Sequence, residues 1–169
     1  MEYQLLPTDI HEVDITKIDE VTQFVYVNRP DVIINCAGMT DVAECEKNLD
    51  EAYRVNAIGV RNVALAANDI DAKVIQISTD DVFDKESRIP YNEFDTVHPR
   101  TIYGKSKEAG EKIPDTAFVT ALSSSEAPGF TGSAAILWMK YSAMRQKAAR
   151  WRFQTTSMRL QPVLLSLRA

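Results

Sequence analysis

The feature that most constrains the fold is an alternation of strand-like and helix-like segments along the first half of the chain. Residues 12–16 have the pattern of a short strand's end, and residues 17–28 place apolar side chains on one helical face. Residues 32–36 form a β-branched run typical of a parallel strand that is covered on both faces. A helix at 49–68 and a strand at 73–78 follow. This order predicts an α/β fold with a Rossmann-like, doubly wound parallel sheet.

Composition narrows the class of protein. The apolar fraction of 45% suits a packed core. No segment approaches the roughly 20 apolar residues of a membrane span, and no signal peptide pattern is seen, so a cytoplasmic protein is expected. Cys36 and Cys45 lack zinc or disulfide spacing, so no metal site is predicted. A net charge of −5 argues against a nucleic-acid partner.

The charge is divided unevenly along the chain. Residues 1–114 carry 22 acidic and 12 basic side chains, whereas residues 115–169 carry 2 acidic and 7 basic ones. The division predicts a partial nucleotide-binding domain at 1–114 and an atypical basic tail at 115–169. A frameshift near residues 113–121 is the preferred hypothesis for that tail. The alternative is a basic amphipathic helix, with aromatic and Met residues interleaved with Lys and Arg between positions 138 and 158.

One sequence pair can carry acid–base chemistry. Tyr103 and Lys107 are four residues apart, which on a helix places both side chains on one face. A neighbouring ammonium is expected to lower the tyrosine pKa and to prepare it as a general acid towards a carbonyl oxygen. Thr79, at the end of a predicted buried strand, can donate to the same oxygen. Taken alone, the pair fits an ordinary solvent-facing helix equally well, since a motif match needs structural context.

Five motifs follow one another along the chain: RPDVIINCAGMTDV (29–42), AYRVNA (52–57), ISTDDVFD (77–84), PYNE (90–93) and YGKSKEAGEK (103–112). Over residues 10–113, they resemble the dTDP-4-dehydrorhamnose reductase family of extended short-chain dehydrogenases. This resemblance implies reduction of the 4-keto group of a dTDP-sugar with NADPH or NADH as cofactor. The implied partner is therefore a nucleotide-sugar substrate. The oligomeric state stays open, with a homodimer among the options.

The resemblance implies roles for matching positions. Thr79, Tyr103 and Lys107 would form the catalytic triad, with Tyr103 protonating the sugar O4 and Lys107 holding the nicotinamide ribose. Tyr103 and Lys107 would both contact the cofactor. Thr79 and Asp80 would contact the substrate. The remaining implied cofactor contacts are Asp14 and Ile15 at the adenosine end, Cys36, Ala37 and Gly38 along the dinucleotide, and Asn56 near its channel. Read without the family, these residues fit ordinary caps, turns and surface positions.

The sequence departs from the family pattern in three places. No G-x-x-G-x-x-G turn occurs, so the main pyrophosphate anchor and an inner strand are expected to be missing, with sheet edges left exposed. Asp81 replaces a typical Tyr, and its carboxylate is expected to repel a pyrophosphate-bearing substrate. Beyond residue 112 the family pattern is lost. Two alternatives to an active reductase follow: a truncated, inactive fragment, or a non-catalytic nucleotide-binding or regulatory relative of the same fold.

Overall fold

In the described part of the chain, five strands form one sheet with helices packed against it. The computed structural model describes residues 4–86, 91 and 94–113, together with the backbone of residues 118–123 and 163–168. The strands are β1 (Gln4–Asp9), β2 (Val32–Asn35), β3 (Lys73–Thr79), β4 (Phe118–Ser123) and β5 (Val163–Arg168), in the spatial order β1-β5-β2-β3-β4. The helices are α1 (Ile18–Asn28), α2 (Val42–Lys47), α3 (Leu49–Tyr53), α4 (Val60–Asn68) and α5 (Ile102–Glu111).

Most of the predicted elements are confirmed. Helix α1 and strands β2 and β3 lie within one residue of their expected bounds. The helix expected at 49–68 is continuous, but a π-helical turn, Arg54–Gly59, joins α3 to α4. Helix α2 is additional, and the Asp41 carboxylate caps it by accepting from the Glu44 backbone N–H at 2.9 Å.

The strand end expected at residues 12–16 is wrong. Strand β1 ends at Asp9, and the following residues form turns. Val13 and Ile15 are each 5% exposed because they pack into the core from a loop. Their alternation with polar residues therefore comes from loop packing and only imitates a pleated strand. Pro7 interrupts the strand signal at 4–9, although the edge position of β1 tolerates a residue without an N–H.

Thr16 does not cap α1, although it stands directly before the N-cap residue. Lys17 occupies the N-cap of α1 and makes no side-chain capping bond. The Thr16 hydroxyl instead donates to Asp14 Oδ1 at 2.7 Å. Glu20, in the first turn of α1, reaches back to accept from the Asp14 backbone N–H at 3.0 Å, so this helix start is tied to the preceding loop.

Strand β5 fills the inner position that was expected to be missing. It pairs antiparallel with β1 on one side and with β2 on the other, and Leu164 lies opposite both Thr8 and Asn35. The expectation of exposed edges at this position is therefore wrong, and one strand of an otherwise parallel sheet is reversed. Both β4 and β5 come from residues 115–169, and the domain division at residue 114 stays a prediction. The amphipathic helix suggested between residues 138 and 158 lies outside the described residues.

The main core lies between α1, α4 and the faces of β2 and β3. Buried aliphatic side chains from these elements form one cluster: Val13, Ile15, Val21, Val25, Ile33, Val63, Ala66, Ala67, Ala72 and Val74. This cluster fixes the helices against the sheet and leaves the carboxyl ends of the strands free for other residues. None of the helices in the described ranges has the length and apolar character needed to cross a membrane. The same ranges hold no cluster of His, Cys, Asp or Glu suited to a metal ion.

Candidate active site

A cavity of about 360 Å³ opens at the carboxyl edge of the sheet. This is the edge at which open α/β sheets bind ligands. Its lining comes from the end of β1, the loop before α1, the turn after β2, and the adjoining helix: Thr8, Asp9, Ile10, Val13, Asp14, Ile15, Thr16, Ala37, Gly38, Met39, Glu51, Arg54 and Val55. Four of the predicted cofactor residues, Asp14, Ile15, Ala37 and Gly38, therefore share one cavity. The predicted catalytic residues lie beside it, around α5.

Two glycines let α5 approach its neighbours closely. A Cβ on Gly104 would lie 2.2 Å from the Asp81 carbonyl oxygen, in the 3₁₀ turn (Asp80–Val82) that follows β3. A Cβ on Gly110 would lie 2.4 Å from the Asn56 carbonyl oxygen, in the π-helical turn. The Thr101 hydroxyl caps the helix by accepting from the Gly104 backbone N–H at 3.0 Å. The helix that carries the predicted acid is thus seated against two other elements of the site.

Tyr103 and Thr79 meet at the end of β3. Their side chains lie close enough for the Thr79 hydroxyl to lower the phenol pKa. Burial acts in the opposite direction and is the larger influence, and the carboxylates of Asp81 and Asp80 add to it. The net result is a Tyr103 pKa above its usual value, so the phenol is protonated at neutral pH.

The expected lowering of the Tyr103 pKa by Lys107 is wrong in this structure. The Lys107 ammonium donates to the Ile77 carbonyl oxygen at 2.6 Å, and it is not among the groups that shift the tyrosine. The side chain is buried, with 7% exposed. Burial lowers the Lys107 pKa to about 8, against the opposing influence of Glu111 and Cys36. Both predicted residues lie on α5 as expected, but the ammonium is directed to the strand.

Asn56 links the turn after β2 to α5. Its side-chain amide accepts from the Met39 backbone N–H at 2.8 Å, donates to the Met39 carbonyl oxygen at 2.9 Å, and donates to Ser106 Oγ at 2.9 Å. The Ser106 hydroxyl in turn donates to the Tyr103 carbonyl oxygen at 2.8 Å. Asn56 lies within the π-helical turn, and such turns often occur at functional sites. The amide thus connects the predicted cofactor turn to the helix of the predicted acid.

Asp14 stands at the opposite end of the cavity. Burial raises the pKa of its carboxyl, but the bonds from the Thr16 hydroxyl and backbone N–H, together with the charges of Lys17 and Arg54, outweigh this effect and hold the pKa below its usual value. Arg54 donates to Thr16 Oγ1 and to Glu51, each at 2.7 Å. Ile15 is buried below, and its carbonyl oxygen accepts from the Asn62 amide at 2.9 Å. This end of the site is a polar rim above an apolar floor.

The turn after β2 can cradle a dinucleotide. Gly38 carries no side chain, and a Cβ there would lie 3.0 Å from Asn56 Oδ1 and 3.7 Å from Lys107 Nζ. Only backbone therefore separates the cavity from an ammonium, and in the described residues that ammonium has a single hydrogen-bond acceptor. An ammonium holds three N–H donors, which suits a ribose diol. Burial raises the pKa of the Cys36 thiol, against the influence of Lys107; Cys36 is thus uncharged at neutral pH.

The 3₁₀ turn holds the two acidic residues that were singled out. Thr79 Oγ1 lies 3.5 Å from Asp80 Oδ1, and the Asp81 backbone N–H donates to Thr79 Oγ1 at 3.3 Å. The Asp81 carboxylate forms an ion pair with Lys85. This partner partly neutralises the charge that was expected to repel a nucleotide sugar, and the repulsion itself stays a prediction.

Sequence reasoning missed three polar residues that complete the site. Ser106 was passed over as a spacer within the Tyr103–Lys107 pair, although it bonds to Asn56. Ser78 and Glu111 bond to each other between β3 and the end of α5. The resemblance quoted all three as letters of its motifs without a role. Their partners lie 33 and 50 positions away in the sequence, so no local pattern reveals them.

A Rossmann-like sheet with a hydroxyl, a phenol and an ammonium gathered at its carboxyl edge is the arrangement expected of a nucleotide-binding α/β protein. The model of the RmlD substrate binding domain matches residues 1–122, and the chain belongs to this family.

Individual relatives agree with the family. The dTDP-4-dehydrorhamnose reductase of Aggregatibacter actinomycetemcomitans is 40% identical over 111 residues, which is 66% of this chain and 38% of that protein. The spore coat polysaccharide biosynthesis protein SpsK of Bacillus subtilis is 47% identical over 85 residues, or 50% of this chain and 30% of that one. The crystal structure of the Bacillus anthracis dTDP-4-dehydrorhamnose reductase in complex with NADP matches with a TM-score of 0.68 and 42% identity, over 69% of this chain and 43% of that one. The chain thus spans less than half the length of these relatives.

Proposed function

We propose that this chain supplies the catalytic face of an NAD(P)H-dependent reductase that converts dTDP-4-dehydro-L-rhamnose to dTDP-L-rhamnose. The observation that carries the proposal is the close approach of the Thr79 and Tyr103 side chains at the end of β3. Two neighbouring hydroxyl donors can stabilise the charge that develops on the oxygen of a bound carbonyl. The reductases named above support the choice of substrate, and the NADP complex of the Bacillus anthracis enzyme supports the choice of cofactor.

In this proposal each residue has a separate task. The raised pKa keeps Tyr103 protonated, so its hydroxyl carries the proton that the sugar O4 receives. Thr79 donates to the same oxygen and fixes its direction. Lys107 and the turn at Cys36, Ala37 and Gly38 would hold the nicotinamide ribose and the dinucleotide.

The outer contacts complete the proposed assignment. Asp14 and Ile15 would contact the adenosine end of the cofactor, and Asn56 would keep the turn after β2 in position. Asp80 would contact the substrate. The bound cofactor supplies the hydride.

The test separates binding from chemistry. NADPH and NADH are titrated into the purified chain while nicotinamide fluorescence and melting temperature are followed, and turnover of the dTDP-4-keto sugar is then measured. Tyr103→Phe is expected to retain binding and to lose roughly 100-fold to 10,000-fold in turnover, the usual worth of a general acid. Tyr26→Phe, on the exposed face of α1, is the matched control and is expected to behave as the parent chain. Equal turnover in the two variants would contradict the assignment of Tyr103.

A non-catalytic, nucleotide-binding role is the second candidate. Asp81 favours it, because this carboxylate stands beside the Tyr103–Thr79 pair, where it would repel the pyrophosphate of a nucleotide sugar. Saturable cofactor binding without turnover in either the parent chain or Tyr103→Phe is the result expected for that role. Turnover in the parent chain would exclude it.

We also propose a cytoplasmic location, in keeping with the free thiols of Cys36 and Cys45. The homodimer is retained as a proposal, and sedimentation of the purified chain decides it.

A further inference from the structure

Glu111 is the last residue of α5 and stands one turn beyond Lys107. Its carboxylate accepts a hydrogen bond from the hydroxyl of Ser78, a strand residue that is 3% exposed. Ser78 directly precedes Thr79. The bond therefore joins the end of the helix to the strand that carries the second hydroxyl of the site.

The surroundings of the Lys107 ammonium contain few charges. On its own helix, Glu111 is the anion that favours the charged form. From the end of β2, Cys36 acts in the same direction, but burial keeps this thiol uncharged at neutral pH. Tyr103 on α5, Cys45 on α2, and Asp80 and Asp81 on the 3₁₀ turn are further titratable groups at this end of the site. The electrostatic influence of Cys45, Asp80 and Asp81 is on Tyr103. Glu111 is thus the carboxylate that acts on Lys107.

We propose that Glu111, held in place by Ser78, is a positioning residue that keeps the buried Lys107 ammonium in its charged form. Its catalytic consequence rests on the reductase function proposed above, because only a charged Lys107 can donate all of its N–H groups to the cofactor ribose and the site. The charge state of Lys107 itself does not depend on any reaction. It can be measured on the chain alone.

Neighbouring Glu108 provides a matched comparison. It lies on the same helix, three residues before Glu111, and pairs with exposed Lys112 at 2.7 Å. A change from Glu to Gln at either position removes one negative charge from α5. The proposal requires that only the change at Glu111 alters Lys107.

The experiment follows the Nζ signal of Lys107 by NMR in the full chain labelled with ¹⁵N-lysine, as pH is raised from 6 to 10. Lys107→Arg identifies the signal. The parent chain is expected to titrate near pH 8. Glu111→Gln is expected to move the midpoint downward by roughly one pH unit, the lower end of the effect of a nearby opposite charge. Ser78→Ala should move it less and in the same direction, and Glu108→Gln should leave it in place.

An unchanged or higher midpoint in Glu111→Gln would overturn the proposal. Circular dichroism shows whether each variant is folded, and if Glu111→Gln fails this check, the Ser78→Ala titration decides in its place. Absence of reductase activity has a different meaning, since the titration of Lys107 can be measured in a chain that shows no turnover. Failure of this inference and failure of the proposed function are therefore distinguishable.

Discussion

The two ends of the candidate site are held together in different ways. Around α5, Asn56, Ser106 and Lys107 are buried and bond to groups from 3 to 50 positions away in the sequence. Around Asp14, the bonds of Thr16 and the ion pairs of Lys17 with Glu20 and of Arg54 with Glu51 mostly join residues two or three positions apart, and the charged partners of these pairs are largely exposed. Removing the partner of a buried polar group lowers the free energy of unfolding strongly, whereas removing one partner of an exposed pair lowers it little. The α5 end is therefore expected to be rigid and the Asp14 end adaptable.

Asn56→Ala is the strongest test of that contrast. The change leaves the Met39 backbone N–H and carbonyl and the Ser106 hydroxyl without their amide partner, and each such loss costs about 1–3 kcal/mol. We expect the free energy of unfolding to fall by about 3–4 kcal/mol in urea denaturation. Asn28→Ala removes an amide that bonds a carbonyl of its own helix and should cost about 1 kcal/mol or less. Similar losses of unfolding free energy in both variants would contradict the proposed rigidity of the α5 end.

Lys107→Met should alter the pH dependence of stability. Burial lowers the folded-state pKa of Lys107 from its ordinary 10.5 to about 8, so the unfolded chain binds more protons between these two values. The cost of the buried charge is thus present in full below pH 8 and disappears as pH rises towards 10.5, a change of about 3 kcal/mol.

The measurement is the stability of the parent chain relative to Lys107→Met between pH 7 and 10.5. The parent should gain relative stability as pH rises through this window. Lys112→Met, at an exposed position on α5's C-cap, is the control. A flat difference for Lys107→Met would show that the ammonium is solvated in solution.

Gly110→Ala tests the close packing of α5 against the π-helical turn. A helix interior favours Ala over Gly by about 1 kcal/mol, but the new Cβ would meet the Asn56 carbonyl oxygen at 2.4 Å. Overpacking against backbone costs about 1–3 kcal/mol, so we expect a net loss of about 1 kcal/mol in urea denaturation. Lys105→Ala, at an exposed position of the same helix, should leave stability nearly unchanged. Stabilisation by Gly110→Ala would mean that the helix can move away from the π-helical turn.

Arg54→Met should have the smallest effect. It removes the bonds to Glu51 and Thr16 at the exposed rim of the cavity. Because solvent screens such pairs, the urea midpoint is expected to stay the same and to be insensitive to added salt. A clear shift of the urea midpoint would show that the Asp14 end is as rigidly held as the α5 end.

Much of the fold could be predicted from local patterns. The amphipathic face of α1 and the β-branched run of β2 each predict their structure from a few neighbouring residues, and both elements were predicted correctly. Val13 and Ile15 misled the prediction because a buried loop can show the same alternation as a strand. The reversed strand β5 gave no local sign of its place between β1 and β2, since only pairing with strands more than 100 residues away decides it.

The same division holds within the site. The sequence by itself determined which residues are available: Tyr103 and Lys107 lie one turn apart because helical spacing is fixed, and Thr79 ends a buried strand. The tertiary structure decided what each of them does. It directs the Lys107 ammonium to the Ile77 carbonyl oxygen, raises the Tyr103 pKa through burial, and supplies Ser78 and Glu111 as partners. Burial and long-range hydrogen bonds depend on the packing of the whole chain, and spacing along the sequence does not encode them.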